Sequence, residues 1–366
     1  MPSSDVTLPR RVALVQQGDP ARPGAWSGVP TGLTSGLREA GCEVIFVDAR
    51  FPGADRLARR LGMSWADQAT SRTFAAGNGA VANRRLRAAE PLDGVVMIGS
   101  GYSISCQAPV VTFEDMTVAQ AVLQSEPAYE SLAGPAVQRW RDRQRRNYES
   151  SVGCCVASEW AARSVREDYG VPAAKVHVVG FGSNVEMEPI ARDWSSPRYL
   201  FVGADWRRKR GAAVIDAFAE VRERHPAATL DLVGRHDLVE ADGVTDHGLL
   251  PLGSDAGKVQ YLELLQQATC LLMPSLFEPF GIAYLDAAVA GIPSIGSTVG
   301  GAEDAIGGYG RLVDPSDQSA LVRAMSELAE PETARELGEK ARARTPTIGW
   351  RAVAERVLSA LESKAS

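Results

Sequence analysis

Two α/β domains, each a parallel sheet covered by helices on both faces, are what this sequence predicts, and three observations carry the prediction. At 366 residues the chain is long enough for two domains of ordinary size. Short, nearly continuous apolar runs alternate with longer segments of helical spacing, the pattern of strands buried on both faces. The alternation pauses in a polar, proline-containing stretch around 195–197 and then restarts.

In order, RVALVQ (11–16), CEVIFVD (42–48), GVVMIG (94–99), PVVTF (109–113), GCCVAS (153–158) and VHVVGFG (176–182) read as strands of the first series. The stretches between them, such as 31–40 and 118–150, have helical length and spacing. The second series is RYLFVG (198–203), ATLDLVG (228–234), ATCLLMPS (268–275) and IPSIGS (292–297). With a linker near 185–197, this predicts two Rossmann-like domains, 1–190 and 191–349, with parallel sheets facing across a cleft.

Composition narrows the partners. The chain is 45% hydrophobic and 23% charged, as expected of a globular protein with a sizeable core. A net charge of −6 gives no reason to expect nucleic acid. Residues 1–190 carry 20 basic and 20 acidic side chains and the remainder 19 and 25, so the excess charge lies in the second half. Five cysteines without CxxC spacing read as reduced, buried thiols, and no His stands at ligand spacing from a Cys pair to suggest zinc. The apolar run near the N-terminus is too short for a signal peptide or a membrane span, so the expected location is cytoplasmic.

Open parallel sheets bind ligands beyond the carboxyl ends of their strands, so the loops after each apolar run are the places to search. After the first strand, Gly24 and Gly28 flank Trp26 ahead of a helix starting near Pro30. Glycines there let backbone N–H groups approach an anion, but a turn needs glycine anyway. After RYLFVG, the cations Arg207, Arg208, Lys209 and Arg210 precede a helix over 211–224. Four cations at a helix N-terminus oppose the macrodipole, and an anionic ligand removes the conflict. The candidate is a diphosphate, with Lys209 as its main contact and a solvated basic turn as the alternative.

PSLFEPFGIAYLDAAVAGIPS (274–294) adds Glu278 at the carboxyl end of a strand. Phe280, Gly281 and Ile282 are expected to begin the following helix with free N–H groups. Asp286, eight positions after Glu278, could accept hydrogen bonds from the vicinal hydroxyls of a ribose. Without a ligand, the same pair would be a helix cap and a partly exposed helix charge.

Together these segments resemble the retaining glycosyltransferases of family 4, which have the two-domain GT-B fold. Residues 274–301 are similar to that family's Glu-x7-Glu signature with the Gly-x-Pro and Gly-Gly that follow it. FVGADWRRKRG (201–211), ASEWAARSVREDYGVPAAKVHVV (157–179) and WSGVPTGLTSGLREAGCEV (26–44) support the resemblance in the family's order. It implies a nucleotide-sugar donor held mainly by the C-terminal domain (191–349) and an acceptor held mainly by the N-terminal one (1–190). The last helix, from Trp350 through 366, would cross back onto the N-terminal domain. Glu278 would contact the donor sugar, Asp286 the ribose, and Lys209 with Arg208 the diphosphate. Residues 280–282 would offer amides to phosphate and sugar, and Gly28 would lie by the donor.

This sequence departs from the family in three places. Asp286 replaces the second glutamate and is one methylene shorter. Ala204 stands where an arginine is frequent, with Arg207 or Arg208 as the available substitute. The histidine often found near the donor sugar is missing from the N-terminal domain, where Glu114 and Asp115 of VVTFEDMT stand at the corresponding place. These two carboxylates are the acceptor-side candidates.

The sequence has no Asp-x-Asp, so no metal is expected and no cofactor beyond the nucleotide-sugar co-substrate. Cations and a helix N-terminus would stabilise the departing diphosphate instead. Arg139, Arg141, Arg143, Arg145 and Arg146, with Trp140 among them, form a basic helical stretch. It suits an anionic membrane surface at the inner face or a phosphorylated acceptor, or it is a solvated face. The acceptor could be a small molecule, a glycan or a lipid. Competing readings are a nucleotide-sugar epimerase or hydrolase on the same fold, and a non-catalytic nucleotide-sugar binding module.

Overall fold

The structure, a computed structural model, describes residues 10–19, 25–124 and 134–363. The chain divides into two compact units, Met1–Val179 with Trp350–Ser366, and Gly180–Gly349.

The first unit holds a six-stranded sheet: β1 (Arg10–Gln16), β2 (Cys42–Asp48), β3 (Gly94–Ile98), β4 (Val110–Glu114), β5 (Gly153–Val156) and β6 (Val176–Val178). The order is β2-β1-β3-β4-β5-β6 and every pairing is parallel. Ala13, Val15, Val95 and Met97 point into a core closed by Ala82 and Leu86 of the helix Arg72–Ala89. The strand order reverses between β1 and β3, so loops after these neighbouring strands diverge there. The helix Trp350–Glu362 belongs to this unit and packs on the helix Val29–Glu39. A Cβ on Gly36 would lie 2.0 Å from the Trp350 carbonyl oxygen, so glycine is what permits the approach.

The second unit repeats the plan with β7 (Arg198–Gly203), β8 (Thr229–Gly234), β9 (Val244–Asp246), β10 (Cys270–Leu272), β11 (Ser294–Ser297) and β12 (Arg311–Val313). Its order is β12-β11-β10-β7-β8-β9, again all parallel, with the reversal between β7 and β10. Tyr199, Phe201, Leu230, Leu232 and Leu272 form its centre against Val214, Phe218 and Val221 of the helix Gly211–Arg224.

Two strands escaped the sequence reading. β9 and β12 are three residues each and close the two edges of the second sheet. Edge strands this short and half-exposed carry no continuous apolar run. The stretch 118–150 holds the helices Val118–Leu123 and Gly134–Ser150, and 125–133 lies outside the described residues. Among the described residues no helix is long and apolar enough to cross a membrane.

Candidate functional site

In the second unit the point where strand order reverses brings two loops together. The loop after β7 carries Lys209 and the loop after β10 carries Glu278, and β7 and β10 are neighbours. Lys209 Nζ donates to Glu278 Oε2 in an ion pair that is only 8% and 5% exposed at the two residues. Arg208 reaches the same oxygen at 3.5 Å and donates to the Phe277 carbonyl at 3.1 Å. Ser275 Oγ donates to it at 3.0 Å, and Met273 Sδ lies 3.0 Å from the ammonium.

These contacts set the charge states. Burial pushes the Glu278 carboxyl up, but Lys209 and Arg208 outweigh it and hold the group below its ordinary value. For Lys209, burial outweighs the attraction of Glu278, so its ammonium is held below the ordinary lysine range, and Arg208 adds to the effect. Of the four cations in the loop, only Arg208 and Lys209 converge on Glu278. Arg207 is exposed, and Arg210, at φ 59° before the helix, donates to Gln318 at 3.1 Å. Ala204 is exposed, so among the candidates for the missing arginine it is Arg208 that reaches Glu278.

The turn after Glu278 is fixed by two glycines. Gly281, at φ 90°, precedes the helix Ile282–Ala290, and a Cβ there would meet the Tyr284 ring at 2.5 Å. The expectation that Phe280 and Gly281 lie inside the helix is therefore corrected: the left-handed glycine ends the turn and Ile282 is the first helical residue. No side chain caps this N-terminus. Phe280 is buried edge-on against Phe181 at 5.2 Å. Gly300, at φ 114°, lets the loop after β11 bond on either side of Glu278. Glu278 N donates to Val299 O at 2.9 Å and Gly301 N to Glu278 O at 2.8 Å.

Asp286 departs from expectation. It is 4% exposed, and its carboxylate accepts from Ser183 Oγ at 2.8 Å, Asn184 N at 2.9 Å and Tyr261 Oη at 3.1 Å. Burial raises it to about 6 against the pull of these donors. A ribose at this carboxylate would have to compete with these three donors.

In the first unit the predicted residues lie in the loop after β1 and at the end of β4, where Trp26 packs edge-on against Phe113 at 6.2 Å. Gly28, at φ 82°, precedes the helix Val29–Glu39 after Trp26 and Ser27, which also have positive φ. The backbone itself requires the glycine here; Gly24 lies outside the described residues. Glu114 is not open to an acceptor, a correction to the sequence reading. It is 5% exposed, with Oε2 accepting from Gln144 Nε2 at 2.5 Å and Tyr148 Oη at 2.8 Å. Its side chain faces the helix Gly134–Ser150, and burial raises it to about 7. Asp115, next in the chain, is half-buried.

The basic stretch divides as well. Arg143 is buried, donating to the carbonyls of Ser100 at 3.0 Å and Ala69, with burial lowering it to about 10. Arg145 donates to the Tyr169 carbonyl at 2.9 Å and lies over the Tyr169 ring. Such a helix is partly internal scaffolding, not a uniform charged face.

Sequence reasoning missed Ser275, three residues before Glu278, whose spacing within PSLFE was the available signal. It also missed Ser183 and Tyr261, whose link to Asp286 has no local signature. Beside the loops after β7 and β8, an open pocket of about 470 Å³ is lined by Trp206, Arg235, His236, Asp237, Leu238 and Val239. The rings of Trp206 and His236 lie 4.2 Å apart, and His236 Nε2 is buried without a hydrogen-bond partner.

The two parallel six-stranded sheets have the GT-B fold of solved glycosyltransferase structures. Residues 196–331 match the family described as Glycosyl transferases group 1. Over 231 residues the chain is 29% identical to the glycogen synthase of Mycobacterium tuberculosis, covering 60% of this chain and 54% of the relative. It is 25% identical over 245 residues to the MMP alpha-(1->4)-mannosyltransferase of Mycolicibacterium hassiacum, covering 62% and 59%. The matches thus span little more than half the length of these curated relatives. Among solved structures, the sucrose-phosphate synthase of Thermosynechococcus elongatus superposes over 96% of this chain and 98% of its own, with a TM-score of 0.66 at 20% identity. At that identity the likeness concerns the fold.

Proposed function

We propose that this chain is a retaining, metal-independent glycosyltransferase that moves a sugar from a nucleoside diphosphate to an acceptor hydroxyl. The supporting observation is the convergence of Lys209, Arg208 and Glu278 where strand order reverses in the second unit, within the segment that matches the glycosyltransferase family. In the reaction the bond between the sugar's anomeric carbon and the β-phosphate oxygen breaks. A bond to the acceptor oxygen forms, and the acceptor's proton passes to the departing diphosphate. Negative charge gathers on the leaving diphosphate, which Lys209 and Arg208 stabilise as they turn to it from Glu278. The first-turn amides of the helix Ile282–Ala290 supply further donors, with Phe280 and Gly281 shaping the turn. Glu278 takes the sugar's hydroxyls once the diphosphate draws the cations away. The base lies by the loop after β8, near Arg235 and His236. Asp115 is the remaining acceptor-side candidate. The acceptor is a small molecule, glycan or lipid, and the exposed arginines of the helix Gly134–Ser150 suit one that carries negative charge or sits at an anionic membrane.

Calorimetry with UDP, GDP, ADP and dTDP, with and without EDTA, tests this. One nucleotide binding equally well in EDTA is the expected result. No binding by any of the four would sink the donor site, and binding abolished by EDTA would overturn metal independence.

A further inference from the structure

Asp286 is held by three donors within the second unit. Ser183 Oγ, the Asn184 amide and Tyr261 Oη donate to it, and the backbone amide of Val185 braces Ser183 Oγ at 3.2 Å. Three donors take most of the roughly four lone-pair sites of a carboxylate. A vicinal diol would have to displace them.

What the carboxylate holds is specific. Ser183, Asn184 and Val185 are among the first residues after the chain passes into this unit at Gly180. The Ser183 amide in turn donates to the Ile348 carbonyl at 2.9 Å, just before the chain leaves at Gly349. The same incoming segment is tied further along to the same helix, Ile282–Ala290. Arg342 bridges the carbonyls of Met187 and Val289, and Arg192 Nη2 donates to Ala290 O at 2.8 Å. Asp286 thus fastens the incoming segment directly, and the outgoing one through Ser183, to the helix whose N-terminus follows Glu278.

We propose that Asp286 is a positioning residue and not a ribose ligand: it fixes where the chain enters and leaves the second unit relative to the helix that begins at the donor turn. The reaction it serves is the one proposed above.

Three measurements on the full chain test the assignment. Amide hydrogen exchange of wild type and Asp286→Asn needs no nucleotide. Replacing the charge-assisted hydrogen bond by a neutral one is expected to speed exchange at Asn184 about tenfold while leaving β7 and β10 unchanged. Unchanged exchange at Asn184 overturns the proposal. Calorimetry then compares the nucleoside diphosphate that binds with its counterpart lacking a ribose hydroxyl. The ratio of the two Kd values is expected to be the same in wild type and variant. A ratio that is large in wild type and collapses to about 1 in Asp286→Asn would make Asp286 a ribose ligand. In a transfer assay, kcat per nucleotide-binding site falls while the donor KM holds, which a mere loss of folded protein does not produce. If no nucleotide binds wild type, the donor-site reading fails and the exchange result alone still decides the proposal. Should Asp286→Asn not fold, Ser183→Ala removes one donor without touching the helix. It is expected to speed exchange at Val185, whose amide donates to Ser183 Oγ at 3.2 Å, with nucleotide affinity unchanged.

Discussion

Lys209 and Glu278, contributed by loops after two neighbouring strands, neutralise each other in a nearly water-free setting. Removing one partner of a buried pair strands the other, at a cost of about 3–5 kcal/mol. Arg208, at 3.5 Å from the same carboxylate oxygen, offsets part of that loss in Lys209→Ala. The expected stability loss is therefore about 2–3 kcal/mol, read from the denaturant midpoint. Turnover should fall by about 100-fold or more, because a cation at the leaving diphosphate is lost. Near-normal turnover would place the phosphate site elsewhere.

The same pair makes a less obvious prediction for Glu278→Gln. In the free protein Glu278 holds Lys209 and Arg208, so if these cations bind a diphosphate as proposed, Glu278 competes for them. Neutralising it leaves Lys209 and Arg208 uncompensated and removes a competitor. The nucleoside diphosphate is expected to bind about tenfold tighter, a gain of ~1.4 kcal/mol, while transfer is lost with the contact to the sugar. Calorimetry beside a transfer assay reads both effects. Weaker binding would show that Glu278 does not compete for these cations.

How far the sequence foretold these relationships depended on distance along the chain. Buried parallel strands of five to seven residues, such as β1 and β7, announce themselves as apolar runs. Lys209 and Glu278 were singled out because each follows such a run at the carboxyl edge, but their ion pair with each other was not foreseen. The surroundings of Asp286 were not legible, because its partner Ser183 is 103 positions away and belongs to the segment joining the two series. Glu114 misled for a different reason. It ends β4 as a site residue should, but strand pleating turns it to the same face as Thr112, toward Gln144 and Tyr148. Gln144 and Tyr148 themselves are hidden four residues apart in a stretch that reads as basic surface.

Gly300 tests how closely the site depends on its supporting loop. At φ 114° a side chain is strained, and a Cβ there would lie 2.0 Å from the Glu278 carbonyl oxygen. Gly300→Ala must therefore displace the backbone of Glu278. The expected stability cost is about 1–3 kcal/mol, from backbone strain. Turnover is expected to fall by about 100-fold, since small displacements of a reacting group are amplified in rate. Comparing melting temperature with turnover separates the two, and a variant that melts lower but turns over normally would show that Glu278 tolerates the shift.

Glu114 gives the pH dependence its sign. Burial lifts the carboxyl from an ordinary value of 4.5 to about 7, against hydrogen bonds from Tyr148 and Gln144 and with a further upward push from Asp115. Between those values the folded protein holds a proton that the unfolded chain has released, so stability falls as pH rises through the window and levels off above about 7. The full excursion corresponds to ~3 kcal/mol. Asp286, raised from 3.8 to about 6, acts in the same direction at the acid end. The interval from pH 6 to 7 therefore belongs mainly to Glu114. Glu114→Gln keeps an acceptor for Tyr148 and Gln144 and cannot ionise, so it is expected to flatten that interval and to exceed wild type in stability at pH 8. Chemical denaturation at pH 5, 6, 7 and 8 reads this directly, and a variant with the wild-type slope between pH 6 and 7 would assign the titration to another group.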